Sequence, residues 1–178
     1  MPSHRPRYAP SRRALHWSIF VLMVLAYVFI EGRENFERGS AARLAMVQAH
    51  FWVGLSILAL MLPRLLLAFS RPAPAVSPPL PAWQAFPAKA MHLLLYAMLV
   101  AQPVLGLLTA WTDGKDILLP FTQIALPALL APDASLAHDF EDVHELVGTA
   151  FYWVVGLHVA AALYHHFFRR DDTLRRMT

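Results

Sequence analysis

A chain of 178 residues that is 57% hydrophobic and only 15% charged is too apolar for an ordinary soluble domain. It has no cysteine, which excludes disulfides, thiolate zinc sites, iron–sulfur clusters and covalent haem attachment through C-x-x-C-H. The formal charge of +3 is small, and the basic residues flank apolar segments without forming a stripe, a pattern of membrane topology and not of nucleic-acid binding.

Four segments are long enough to cross a bilayer, which takes roughly 20 apolar residues. They span about 14–30, 46–69, 90–111 and 143–168. The first follows a basic start, MPSHRPRYAPSRR; its apolar run is long and no small-x-small cleavage site follows, so a retained helix is expected and not a signal peptide. The second carries His50 near its start and Pro63 near its end. It leads into RPAPAVSPPLPAWQAFP, whose six prolines predict an extended, semi-rigid linker. The third segment carries His92, Tyr96 and Pro103, the two internal prolines being expected to kink their helices. The connection after it, about 112–142, contains ILLPFTQIALPALL, which is broken by Pro120 and Pro127 and is expected to lie on the outer surface or to cap what sits beneath.

The expected fold is all-α: a single domain over 1–178, a four-helix transmembrane bundle of up-down topology. Orientation follows the basic residues near helix ends. Arg5, Arg7, Arg12 and Arg13 precede the first segment; Arg64, Arg71 and Lys89 belong to the second connection; Arg169, Arg170, Arg175 and Arg176 close the chain. The other two connections hold only Arg33, Arg38, Arg43 and Lys115, so both termini are expected in the cytoplasm.

Within VHELVGTAFYWVVGLHVAAALYHHFF the histidines stand out, because an ionisable group in hydrocarbon is expensive and marks function. His144 and His158 lie fourteen positions apart. At 1.5 Å per residue that spacing is roughly 21 Å, and fourteen steps of 100° return within about 40° of the same direction. One helix thus offers two ligands on one face, one towards each side of the bilayer. A six-coordinate haem b takes a second axial ligand at equal depth on another helix. His50 is the partner of matching depth for His144; for His158 depth leaves His16 and His92 open. Gly54 and Gly148 follow His50 and His144 by one turn, as close approach of a flat group, or plain helix packing, requires. His165 and His166 fall at the inner interface beside Arg169 and Arg170, where contact with lipid headgroups accounts for them. His4 and His138 are expected to be solvated, and the tryptophans suit interfacial belts.

These residues resemble the prokaryotic cytochrome b561 family, small four-helix di-haem proteins of the bacterial inner membrane. The matching stretches are ALHWSIF, QAHFWVGLSILALMLPRLLL, MHLLLYAMLVAQPVLGLL and VHELVGTAFYWVVGLHVAAALYHHFFRRDDTLRRM. The resemblance implies two haem b groups, the inner held by His16 and His158, the outer by His50 and His144, with His92 not an iron ligand. It also implies an oxidoreductase that oxidises superoxide at the periplasmic side and reduces ubiquinone through the two haems. Other members of the wider superfamily are cytochrome b subunits that pass electrons between the quinone pool and a partner dehydrogenase or hydrogenase. A protein partner is not implied for the first role; superoxide, ubiquinone and the lipid bilayer are. Because histidine titrates near neutral pH, His92, Tyr96, His165 and His166 are the candidates for quinone and proton chemistry.

The outer connections, together with Glu145 at the outer end of the fourth segment, carry ten acids against those four basic residues, a field that repels an anion such as superoxide unless Arg33, Arg38, Arg43 and Lys115 form a local positive entrance. A histidine-lined metal or proton carrier is the reading from another class. Carriers show acids within spans or paired broken helices, whereas Glu145, at the outer end, is the one acid well inside an apolar run.

Overall fold

The computed structural model describes residues 7–70 and 72–178; His4, Arg5 and Arg71 lie outside them. Four helices follow one another: α1 Pro10–Gly32, α2 Ala41–Ser70, α3 Ala82–Thr112 and α4 Ala134–Tyr164. A short turn, Arg33–Asn35, follows α1, and a π-helical turn, His165–Arg169, continues α4. All four helices are long and apolar enough to cross a membrane, and the chain is the four-helix bundle that its apolar segments imply.

Local chemistry sets the helix starts. Pro10 opens α1, where its missing N–H is not needed. Ser40 Oγ accepts from the Arg43 N–H at 3.2 Å ahead of α2, and the Asp133 carboxylate accepts from Ser135 and Leu136 at the start of α4. Two segments are more helical than the sequence suggests. Ala82–Pro87, expected in the proline linker, forms the beginning of α3, because a proline so near a helix start removes only one backbone bond. His138 and Asp142, expected in a connection, lie on an exposed face of α4 with 3.6 Å between Nε2 and Oδ2. Arg64 and Lys89 likewise belong to α2 and α3 and not to the connection between them.

Helix α1 packs on α2, α2 on α3 and α3 on α4, whereas no Cα of α4 comes within 8 Å of one in α1 or α2. Ile19, Met23, Val53, Ile57, Met61, Met98, Leu99 and Phe151 make a small buried core. Most other large apolar side chains face outward, among them Val21, Val28, Leu62, Leu66, Leu93, Trp153 and Leu157. Such a surface is stable only in hydrocarbon, where helices satisfy their own backbone polar groups.

The connection between α3 and α4 is tied down on α2. The Gln48 amide donates to the Asp116 carbonyl at 2.7 Å and accepts from the Leu118 N–H at 3.0 Å, while Trp52 Nε1 donates to the Leu118 carbonyl at 2.7 Å. A single antiparallel bridge, Leu118 with Ala125, folds it back. Ile117 is buried, and Phe121, Ile124 and Leu129 project outward.

At the opposite end the last residues close on the first helix. The Tyr8 N–H donates to the Arg176 carbonyl at 3.1 Å, and Trp17 Nε1 donates to the Met177 carbonyl at 2.9 Å. Arg170, in the left-handed region at φ 57°, turns the chain out of the π-helical turn. Asp171 and Asp172 then point inward, each 1% exposed. Asp171 meets His165 Nδ1 at 2.6 Å and Arg169 Nε at 3.1 Å. Asp172 accepts from the Ser77 N–H at 2.9 Å and lies 3.6 Å from Arg176.

Burial alone raises the Asp171 carboxyl, but the hydrogen bonds from His165 and Thr173 outweigh it and hold the group below the ordinary carboxylate value. A depressed folded-state pKa contributes stability that is complete above the ordinary value and is lost as pH falls through the folded one. Thermal unfolding in detergent should therefore be steady from neutrality down to about pH 4 and weaken below it. Asp171→Asn should flatten that acid limb and cost about 3 kcal/mol at neutral pH, since it leaves the part-buried Arg169 guanidinium without its carboxylate.

Candidate functional site

The backbone gap on one side of α4 is bridged by side chains. Near the end capped by the α3–α4 connection, the rings of His50 and His144 face each other with centroids 6.3 Å apart and planes at 89°. Towards the end closed by the tail, His16 and His158 stand 6.4 Å apart with planes at 72°. His92 also reaches His158, at 5.5 Å and 87°. The structure thus brings together both pairs that the resemblance implies, and it sets His92 beside the second.

A cavity of about 380 Å³ opens around the first pair. Gly54, Gly106 and Gly148 line it from three helices, with Ile117 of the connection above. A Cβ on Gly106 would lie 3.2 Å from His144 Cε1, so this glycine is the notch in which the His144 ring sits. Gln102, one turn earlier on α3, donates to the His144 carbonyl at 3.1 Å. The His50 Nδ1 donates to the Ala26 carbonyl at 2.9 Å, which fixes the tautomer and turns the Nε2 lone pair away from the backbone. A second, almost wholly apolar groove of about 340 Å³ runs between α1 and α4 at Phe20, Val24, Phe151 and Val155.

The mouth of the first cavity is acidic. Glu31, Glu34 and Glu145 line it with a single cation, Arg33. Arg33 and Arg43 both bond Glu34, at 3.0 and 2.8 Å, and Lys115 pairs with Asp113. Three of the four basic residues expected at a positive entrance are thus engaged by carboxylates. Tyr27 and Tyr152 stack at 4.0 Å across the α1–α4 gap, Tyr27 donating to the Gly148 carbonyl at 2.8 Å and Tyr152 to Glu31 at 3.4 Å.

The second pair has a different neighbourhood. Arg64 Nη2 lies 3.2 Å from His16 Nδ1, Nη1 donates to the Arg12 carbonyl at 3.2 Å, and the guanidinium rests 5.7 Å from the centre of the Tyr96 ring. His92 Nδ1 donates to the Ala88 carbonyl in its own helix at 2.6 Å. His165 is held by Asp171, whereas the buried Nδ1 of His166 has no partner among the described residues.

Sequence reasoning missed Gln102, Gly106, Tyr27, Tyr152, Glu31 and Arg64 as parts of these sites. Gln102 and Glu31 carried a usable signal, as polar groups within or at the end of an apolar run. Arg64 was read as a topology charge. The glycine notch and the tyrosine stack depend on helix pairing, which one sequence does not disclose.

The histidine pairs fit a group bound from both faces. Two opposed imidazoles, each about 2 Å from a shared metal, have ring centres roughly 6 Å apart, close to both observed separations. Among the described residues no three His, Asp or Glu side chains converge as a bare metal ion would need. The glycine-lined cavity and the set-back of α4 leave room for a flat, apolar ring system.

Comparison with known proteins accords with that geometry. A family model described as prokaryotic cytochrome b561 matches residues 7–178. The chain belongs to the prokaryotic cytochrome b561 family. It is 30% identical to cytochrome b561 homolog 1 of Escherichia coli (strain K12) over 171 residues, 96% of each chain. It is 29% identical over 171 residues to a probable superoxide oxidase, CybB, of Yersinia pestis, covering 96% of this chain and 95% of that one. Cytochrome b561 homolog 2 of Escherichia coli (strain K12) is 32% identical over 137 residues, 73% of this chain and 69% of its own. Family membership makes this a bacterial membrane protein of haem-b electron transfer, an oxidoreductase-type cytochrome b.

The notch makes a specific demand on α3. Gly106→Val should force the His144 ring out of place and lower the haem absorbance per protein, with helix content by circular dichroism unchanged. Full haem content in that variant would show that His144 does not depend on the notch.

Proposed function

We propose that the chain is a di-haem b oxidoreductase of the bacterial inner membrane, oxidising superoxide at its periplasmic face and reducing ubiquinone at its cytoplasmic one. The observation that carries the reading is the repeated ring separation, 6.3 Å for His50 with His144 and 6.4 Å for His16 with His158. The two pairs share α4, and their fourteen-residue spacing is a rise of roughly 21 Å. His50 and His144 would hold the outer haem as axial ligands, and His16 and His158 the inner. His92 stands nearer to His158, at 5.5 Å against 6.4 Å for His16, and the family resemblance favours His16. Bound haem supplies a one-electron relay with no open iron position.

Both termini lie in the cytoplasm in this reading, supported by the basic residues gathered at the tail end of the bundle. The reaction balances simply: each superoxide gives up one electron and leaves as dioxygen, and two electrons with two protons convert a quinone to a quinol. His92 and Tyr96, near His158 and Arg64, together with His165 and His166 beside the tail, are the groups proposed to bind quinone and pass protons. A relative described as a probable superoxide oxidase supports the donor.

The acidic lining at Glu31, Glu34 and Glu145 favours a second reading. An anion is repelled there, whereas a docked partner protein is not, so the chain could serve as a cytochrome b subunit between the quinone pool and a dehydrogenase or hydrogenase. The two readings part on one measurement. Stopped-flow mixing with superoxide should reduce the haems of the isolated protein, and added ubiquinone should reoxidise them; no reduction by superoxide would favour the partnered role.

Haem quantitation tests the ligand set. The purified protein should carry two b haems. His50→Ala and His144→Ala should remove one centre, His16→Ala and His158→Ala the other, and His92→Ala should leave both. A colourless protein, or full haem content after His158→Ala, would sink the reading.

A further inference from the structure

The two histidine pairs sit in opposite electrostatic surroundings. Arg64 lies inside α2, within the apolar bundle, where a cation is expensive unless something compensates it. Among the described residues no carboxylate lies within 4.0 Å of it. Its contacts are His16, the Arg12 carbonyl and the face of Tyr96. The nearby tail carboxylates are engaged elsewhere, Asp171 by His165 and Arg169, Asp172 by Arg176. The cavity of the other pair is lined by Glu31, Glu34 and Glu145 with Arg33; Arg33 and Arg43 both pair with Glu34, which leaves three acids against two cations.

We infer that the bundle is graded so that an electron settles at the His16–His158 end, and that Arg64 sets the grade. This rests on the di-haem reading above and adds to it the residue that sets the potential difference between the two centres. A positive charge beside a one-electron centre favours its reduced form, and negative charge favours the oxidised one, most strongly where the dielectric is low. Ligand chemistry acts in the same direction. The Nδ1–H of His50 donates to the Ala26 carbonyl, which makes His50 a more basic ligand and favours oxidised iron. His16 has no such acceptor; its Nδ1 faces the guanidinium at 3.2 Å. When Nε2 is given to iron, Nδ1 carries the ring proton, and Arg64 acts on it as a through-space charge while its Nη1 stays on the Arg12 carbonyl. Arg64 is a positioning residue for charge and touches no substrate. Electrons entering at the acidic mouth run downhill to the inner pair, and return flow from quinol is opposed.

Redox titration of the purified holoprotein, followed by its optical spectrum, tests this. His144→Ala and His158→Ala, each lacking one centre, assign the two steps. In the wild type the inner centre should have the higher potential. Arg64→Gln should lower it by at least tenfold in electron partition, 59 mV for a one-electron couple, with the outer centre unmoved; Arg64→Lys should restore most of the difference. Glu31→Gln, which leaves Arg64 untouched, should raise the outer potential alone. An unchanged or raised inner potential in Arg64→Gln overturns the inference, a rise meaning that Arg64 holds His16 as an imidazolate. An unmoved outer potential in Glu31→Gln overturns it too. A wild type without two haems overturns the di-haem reading itself, whereas two haems with unshifted variants overturn only the grading.

Discussion

The set-back of α4 from α1 and α2 is the constraint on which the rest of the structure depends. Helices in hydrocarbon gain little from the hydrophobic effect and associate through close packing and polar contacts. Here the backbone of α4 approaches α3 alone, and side chains cross the remaining gap: the imidazoles, the phenols and Phe151. A gap of that width is unfavourable unless something fills it, and the imidazoles facing across it define what the filler must offer. In the proposed reading it is flat, apolar at its edges and takes a ligand on each face. Haem b, which membership of the family brings, answers all three.

With one wall of the bundle held off, order comes from its two ends. The connection after α3 is fastened to α2 by Gln48 and Trp52, so the His50–His144 cavity has a lid whose backbone is held by two side chains of α2. The tail closes the other end through buried acids, arginines and the Tyr8 ring, flanked by Arg12 and Arg176 at 5.6 and 5.5 Å. Polar closures of this kind suit the bilayer boundary, where charged heads reach water and apolar stems stay in lipid. The middle needs little core, and it has little.

Much of this was legible from the sequence because membrane spans and intramembrane histidines are costly features that leave plain marks. Length and apolarity gave four helices; rise and angular step put His144 and His158 on one face. Depth could not separate His16 from His92, and in the folded chain both do reach His158. Arg64 escaped because a basic residue near a span end counts first as a topology signal, and helix ends are poorly marked where apolar residues continue past them. The tail escaped for a related reason: RRDDTLRR looks like a solvated charge run, and only its partners at Ser77, Pro74 and Tyr8 make it an inward-facing plug. The proline linker misled at Ala82–Pro87, where a compositional signal for extended chain lost to the propensity of α3 to continue backwards.

The closure of the tail on the first helix also bears on how the molecule is made. Tyr8 and Trp17 are joined to Arg176 and Met177, so the end of α1 is completed by residues made after α4. A chain emerging from the ribosome can insert α1, α2 and α3 in turn, but this end of the bundle stays unfinished until the residues after α4 emerge. The His16–His158 pair obeys the same schedule, since its two members belong to the first and last helices. Biogenesis is therefore ordered by topology: insertion proceeds segment by segment, whereas the His16–His158 pair can meet only after α4 has been made.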